Sequence, residues 1–115
     1  MSKPKDPVTF LNHVYEAIQD IKKYKETLLD LKDLEDKQMI QDAIIRKLEI
    51  IGEAVGNISS EFIASHPEVN WRGPKNLRNV LSHQYFEVNL KAVWEVINDD
   101  LLVLEKEIKP LLEDI

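Results

Sequence analysis

In the last quarter of the chain Leu90, Trp94, Ile97, Leu101, Leu104, Ile108 and Leu111 recur at alternating spacings of four and three residues. At about 3.6 residues per turn, that alternation holds large apolar side chains on one face of a helix. A strand cannot do the same, because its side chains switch faces at every residue. A stripe of this length has to be buried, and the sequence offers other helices to cover it. Leu11, Val14, Tyr15, Ile18 and Ile21 repeat the spacing near the start, and Ile40, Ile44, Leu48, Ile51, Val55 and Ile58 repeat it in the middle. No segment has the strand period, and there is no internal repeat or low-complexity tract. The expected fold is all-α, an antiparallel bundle of roughly four to five helices in a single domain over 1–115.

The boundaries follow from local signals. Asp6 followed by Pro7 pairs a capping side chain with the favoured first-turn proline. The segment TLLDLKDLED breaks the first register and reads as a turn or helical corner, with Asp33 or Asp36 capping the helix after it. The next long helix is predicted from near Glu35 towards Ile58. Met39, Ala43, Ile50 and Ala54 widen its stripe, so it should be central and packed on two sides. Gly52 and Gly56 would leave a groove of small residues for a neighbouring helix. Ser59 or Ser60 can cap a short helix that Pro67 ends. PEVNWRGP reads as a connector. A further helix beginning near Pro74 would turn Leu77, Val80 and Leu81 inward and end near Tyr85 or Phe86, because Asn89 reads as the cap of the last helix.

Composition narrows the function. The net charge of −6 argues against a generic nucleic-acid coat, which needs a basic surface to neutralise phosphates. No cysteine is present, which removes disulfides and thiolate metal sites and fits a reducing cytoplasm. The first residues, MSKPKDPVTF, lack the apolar core of a signal peptide, and apolar runs are broken by Lys, Glu or Asp every few residues. A cytoplasmic protein that does not enter the membrane is expected. There is no phosphate-binding glycine loop, no His-Glu-x-x-His and no paired Glu-x-x-His of a di-metal bundle, so no metal site and no cofactor are expected.

One stretch departs from the acidic background. Between Glu68 and Glu87 there is no carboxylate, where about three would be expected from the chain's composition. The stretch carries Arg72, Lys75, Arg78 and His83, with Asn79 and Tyr85 beside them. A local positive patch is what a phosphate-handling site requires. An arginine stays charged and can donate two hydrogen bonds to a phosphate. A histidine can accept and return a proton near neutrality. A tyrosine adds a hydroxyl donor and a ring for stacking. On one continuous helix His83 would lie about 140° around from Arg78, so the two would not converge on one atom from a single chain. A two-fold dimer would bring two Arg and two His into one cleft. The spacing alone favours a structural reading, since a histidine near a helix end also caps carbonyls and an Arg-x4-His spacing recurs by chance in helical proteins. His13 and His66 read as surface or cap residues. Glu95, Asp99, Asp100, Glu105 and Glu107 read as a solvated face of the last helix.

The runs AIIRKLEIIGEAVGNIS, PEVNW and LRNVLSHQYFEVNLKAVWEVI, in this order, resemble the HepT-like branch of the HEPN superfamily. The resemblance extends from about Asp6 to Leu112. Arg-x4-6-His alone is a weak signature. Ile-Gly-Glu-Ala upstream, Trp before the motif, Asn directly after the Arg, and His-x-Tyr-Phe make it specific. The resemblance implies a homodimeric, metal-independent ribonuclease toxin of a type VII, HepT/MntA-type toxin–antitoxin module. Arg78 and His83 would match the motif arginine and histidine, and Asn79 the polar residue after the arginine. Tyr85 falls on the tyrosine that, in some members, a minimal nucleotidyltransferase antitoxin adenylylates. Arg72 and Lys75 are candidate RNA contacts. Gly73, Pro74 and Lys75 make a stiffer, more basic approach than the family pattern. Arg46 and Glu53, also typical of the family, would form a buried or interfacial polar pair. A competing reading is a non-catalytic nucleotide- or partner-binding subunit of a nucleotidyltransferase complex, which the acidic net charge favours.

Overall fold

The computed structural model describes residues 6–74, 77, 81 and 89–113. The described residues form helices and their connections, with no strand among them. Helix α1 (Pro7–Lys25) starts as the sequence predicts: Asp6 Oδ1 accepts the Val8 N–H at 2.9 Å, with Pro7 in the first turn. Lys22, Lys23 and Lys25 in its last turn complement the negative end of the helix dipole. Its apolar face buries Phe10, Leu11, Val14, Ala17, Ile18 and Ile21.

The segment after α1 contains a short helix of its own, α2 (Leu31–Asp36). Its cap is Asp30, whose Oδ1 accepts the Asp33 N–H at 2.9 Å, and neither Asp33 nor Asp36 caps the long helix that follows, as the sequence suggested one of them would. Asp33 reaches back to the Leu29 N–H at 2.8 Å, so the two aspartates satisfy two exposed donors ahead of the same helix. Helix α3 (Gln38–Gly56) follows almost directly, with Lys37 at its start and no side-chain cap. Lys37 instead donates to the Thr27 carbonyl at 2.8 Å. Lower down, Lys47 Nζ meets Asp20 Oδ2 at 2.9 Å, which sets α3 antiparallel to α1. The hydrogen bond and charge of Asp20 together raise the Lys47 pKa, although burial opposes them.

Gln41 is the one buried polar residue of the core among the described residues. Its amide donates to the Leu34 and Glu35 carbonyls at 2.8 and 2.9 Å. Those carbonyls belong to the last turn of α2, where the Leu34 carbonyl also takes the capping Lys37 N–H at 3.4 Å. One glutamine thus fastens the short helix to the long one.

Two features of α3 differ from the pattern. Met39 is 85% exposed, in the first turn of α3. A Cβ built on Gly56 meets nothing within 4 Å, so this glycine ends the helix and makes no groove. Helix α4 (Ser60–Ser65) is capped by Ser59, which accepts the Phe62 N–H at 3.2 Å.

The last helical stretch is not uniform. Asn89 Oδ1 accepts the Ala92 N–H at 3.1 Å and starts α5 (Leu90–Glu95). A π-helical turn, Val96–Asp100, leads into α6 (Leu101–Glu113). Within the turn, Asn98 donates its amide to the Trp94 carbonyl at 2.8 Å, the acceptor its own N–H would take in an α-helix. The Leu101 N–H correspondingly reaches back five residues to Val96. Ile97, Leu101, Leu104 and Ile108 are buried, as the spacing predicts, Leu90, Trp94 and Leu111 of the same stripe are half-buried, and Val93 and Val96 are enclosed as well.

Helix α1 packs against α3 on one side and α6 on the other, while α2 bridges α3 and α5. The buried residues form one cluster, with Leu11, Ile18, Leu34, Ile44, Leu48, Ile51, Ile97 and Ile108 fully enclosed. Each such side chain contributes about 1.5–3 kcal/mol relative to exposure. No helix among the described residues is long and apolar enough to cross a membrane.

Candidate functional site

Arg78, Asn79, His83, Tyr85 and Lys75, together with Val80, which the sequence predicts to turn inward, lie outside the described residues. What the structure describes is the frame that delivers the chain into that stretch and receives it afterwards. The entry begins where α4 ends. His66 closes α4, and its carbonyl accepts both the Val69 N–H at 3.2 Å and the Trp71 indole N–H at 2.8 Å. Trp71 is buried and meets Phe62 edge-on at 6.2 Å, and Phe62 in turn lies 4.5 Å from the His66 ring. An indole with its nitrogen satisfied and its rings against aromatic neighbours holds the connector in one path. His66 therefore serves the backbone, in keeping with the cap role read from sequence. Its Nδ1 also lies 3.1 Å from Glu68. The backbone N–H of Glu68 and the His66 side chain lower the pKa of that exposed carboxyl.

Asn70 then starts the next helical stretch. Its Oδ1 accepts the Gly73 N–H at 3.3 Å, and residues 72–74, 77 and 81 are helical. The helix thus begins about two residues earlier than Pro74. Arg72 is exposed at its start, available to a phosphate. Leu77 is buried and Leu81 half-buried against the core, as predicted, and Arg78 follows Leu77 directly in sequence.

The last helix holds this entry from outside. Glu107 Oε1 accepts the Asn70 backbone N–H at 3.1 Å. Two turns along, Asp100 shares with Glu107 the lining of a pocket of about 240 Å³ between the entry helix and α6. Glu105 has a different partner. Gln19 and Lys22 of α1 both donate to it, Lys22 at 3.1 and 3.2 Å. Burial alone would raise the Glu105 pKa. The hydrogen bonds from Gln19 and Lys22, with the charges of Lys22 and Lys109, outweigh it and hold the carboxyl below its usual range.

The expected solvated face is therefore divided. Glu95, Asp99 and Asp100 are exposed, whereas Glu105 and Glu107 tie the last helix to α1 and to the connector. Arg46 and Glu53 do not form a buried pair. Both are exposed, and Arg46 lies 3.5 Å from Glu49 instead, one turn along the same helix. Among the described residues no three His, Cys, Asp or Glu side chains are grouped as a metal would need.

A ribonuclease HepT-like family model matches residues 14–111. The chain belongs to the HepT-like family. A candidate RNase of Methanocaldococcus jannaschii is 37% identical over 111 residues, covering 96% of this chain and 91% of that protein. A protein of Thermococcus cleftensis named probable ribonuclease HepT is 36% identical over 102 residues, 89% of this chain and 92% of its own. A third relative, from M. jannaschii, joins a gamma-glutamylcyclotransferase and a candidate RNase in its name. It is 35% identical over 111 residues, and this chain spans only 50% of its length. No solved structure matches the chain significantly. In this HepT-like chain the family match runs through the whole helical frame, from α1 to the last turns of α6.

Proposed function

We propose that this HepT-like protein is a metal-independent endoribonuclease, the toxin of a type VII, HepT/MntA-type module, working as a homodimer. In this reading the ribose 2′-hydroxyl attacks the adjacent phosphorus. The P–O5′ bond breaks, leaving a 2′,3′-cyclic phosphate and a 5′-hydroxyl. One His83 removes the 2′-hydroxyl proton, and the other His83 of the dimer protonates the departing 5′ oxygen. Arg78 offsets the charge that builds on the phosphoryl oxygens. Asn79 orients the phosphate, Arg72 and Lys75 hold the flanking backbone, and Tyr85 lines the cleft. Because acid and base both come from side chains, this chemistry requires no divalent ion.

The observation that carries the reading is the family match over 14–111, which contains the complete Arg78-Asn79-x3-His83-x-Tyr85 constellation. Relatives that align over nearly their full length are named as RNases. A minimal nucleotidyltransferase antitoxin would neutralise the protein by adenylylating Tyr85, placing negative phosphate and bulk where RNA must bind. The net charge of −6 favours a second reading, a non-catalytic nucleotide- or partner-binding subunit of such a complex, because it weakens long-range attraction of RNA.

The test compares wild type, His83→Ala and Arg78→Ala on bulk RNA in EDTA. Wild type is expected to cut and to leave cyclic phosphate ends, with both variants at least about a hundredfold slower. An inactive wild type would favour the binding subunit, and cleavage that needs magnesium would remove the acid–base mechanism. The mass of the Tyr85 peptide after co-expression with a minimal nucleotidyltransferase of such a module reads the modification.

A further inference from the structure

Arg72 is an exposed side chain on a stretch of backbone that its neighbours hold firmly. Just before it, Trp71 is buried, with its indole N–H on the His66 carbonyl at 2.8 Å and its ring edge-on to Phe62 at 6.2 Å. Just after it, the Gly73 N–H is taken by Asn70 Oδ1 at 3.3 Å. Two residues before it, the Asn70 N–H is taken by Glu107 Oε1 of α6 at 3.1 Å. Trp71, Pro74 and Leu77 are buried and recur every three residues, so they mark the inner face of this turn. Arg72 stands about 100° around from Trp71 and leaves that face for solvent.

These anchors do different things for Arg72. The Trp71 contacts set how deep the backbone sits against the core, and the Asn70 cap acts within the turn itself. Glu107 comes from a distant element, and its bond pairs a carboxylate with a backbone N–H, which is stronger than a bond between neutral groups. With Trp71 as a pivot, the bond from α6 stops the turn from swinging about the tryptophan. It thereby sets the direction in which the Arg72 side chain leaves the backbone. A backbone already held leaves only the side chain to be ordered when a ligand binds. We propose that Glu107 is a positioning residue for RNA binding: its carboxylate holds the Asn70 N–H so that Arg72 faces a phosphate of the RNA backbone. This rests on the part of the ribonuclease reading in which Arg72 holds RNA, and it adds a residue that touches no substrate. Glu107 acts by reach and not by charge, since a carboxylate beside a phosphate repels it.

The test uses the full-length chain carrying His83→Ala, so that RNA is bound and not cut. Binding of a fluorescein-labelled single-stranded oligoribonucleotide is followed by anisotropy at several KCl concentrations, well below the Tm of every variant. On single strands each phosphate contact contributes about 0.7 to the slope of log K against log salt. Arg72→Ala should lower the slope by about 0.7. Glu107→Ala should lower it by the same amount, and the two together by no more than either alone, because both remove one contact. Two further variants separate reach from charge. Glu107→Gln keeps an acceptor of the same length and should retain the slope. Glu107→Asp keeps the charge but is one methylene short of the Asn70 N–H, and should lose the slope as Glu107→Ala does. It also keeps the test decisive if Glu107→Ala does not fold. An unchanged slope in Glu107→Asp, a lost slope in Glu107→Gln, or additive losses in the double variant would overturn the proposal and leave the ribonuclease reading in place. Absence of both cleavage by wild type and binding by His83→Ala would remove that reading, and the positioning role with it.

Discussion

The carboxylate of Glu107 accepts the backbone N–H of Asn70 at 3.1 Å, joining the last helix to the residue that caps the entry into the motif. Asn70 uses both of its polar ends. Its backbone donates outward to α6 while its side chain receives the Gly73 N–H. The helical start at residues 72–74 is thereby fixed by a residue 37 positions away from Asn70 in sequence.

Asn70→Ala deletes the capping oxygen and keeps the backbone bond to Glu107. It should destabilise the protein by about 1 kcal/mol, roughly 4 °C in Tm. Asn70→Ser retains a capping oxygen and should recover most of that loss. Thermal unfolding of the three proteins checks this, and equal losses in Ala and Ser would remove capping as the explanation.

Gln41→Met keeps the volume near that of glutamine and removes the two donors to Leu34 and Glu35. The Glu35 carbonyl then loses its side-chain donor and the Leu34 carbonyl keeps only the Lys37 N–H at 3.4 Å, at a cost of about 1–3 kcal/mol. Urea unfolding should show a lower midpoint with an unchanged slope, because the native state stays compact. A variant as stable as wild type would mean that water reaches the end of α2.

Much of this frame was legible in the sequence, and the exceptions have a common cause. Leu11 to Ile21 and Leu101 to Ile108 declare their buried faces by spacing alone, and Asp6, Ser59 and Asn89 act as caps because each stands next to the donors it serves. Glu105 and Glu107 could not be recognised as anchors. An acid on a helix face reads as solvated until Gln19, Lys22 or the Asn70 N–H is brought to it by the fold. The π turn coincides with the Asn98 amide donating to the Trp94 carbonyl, and no hydrophobic period records that. Met39 belongs to the apolar stripe by spacing yet is exposed in the first turn of α3. At the site, residue chemistry and the gap in negative charge pointed to Arg78, His83 and Tyr85. Their frame of Trp71, Asn70 and Glu107 is tertiary and left only the tryptophan as a sequence signal.

Glu105 makes stability depend on pH. Its carboxyl is held below the usual range in the folded chain, so the unfolded chain takes up its proton first as pH falls. Its contribution is complete above the ordinary glutamate pKa of about 4.3 and is lost as pH falls through the lowered folded value. Glu105→Gln should be less stable than wild type by about 1 kcal/mol at pH 7, and the two should converge as pH approaches 3. Urea midpoints measured across that range check the sign. A gap that persists unchanged at low pH would assign the effect to shape and not to charge.

The proposed shared cleft makes a prediction that independent sites would not. If acid and base are the two His83 side chains of one dimer, a mixed dimer of wild type and His83→Ala lacks one of the two roles. Its cleavage rate should fall by about a hundredfold or more, close to that of the double mutant dimer. If each chain carried its own site, the mixed dimer would keep half of the wild-type rate. Tagged mixed dimers, purified by tandem affinity and assayed under single-turnover conditions, separate the two cases. A rate near one half would leave the ribonuclease reading in place and remove the dimer from the chemistry. A rate near that of the double mutant would make dimerisation part of the catalytic machinery.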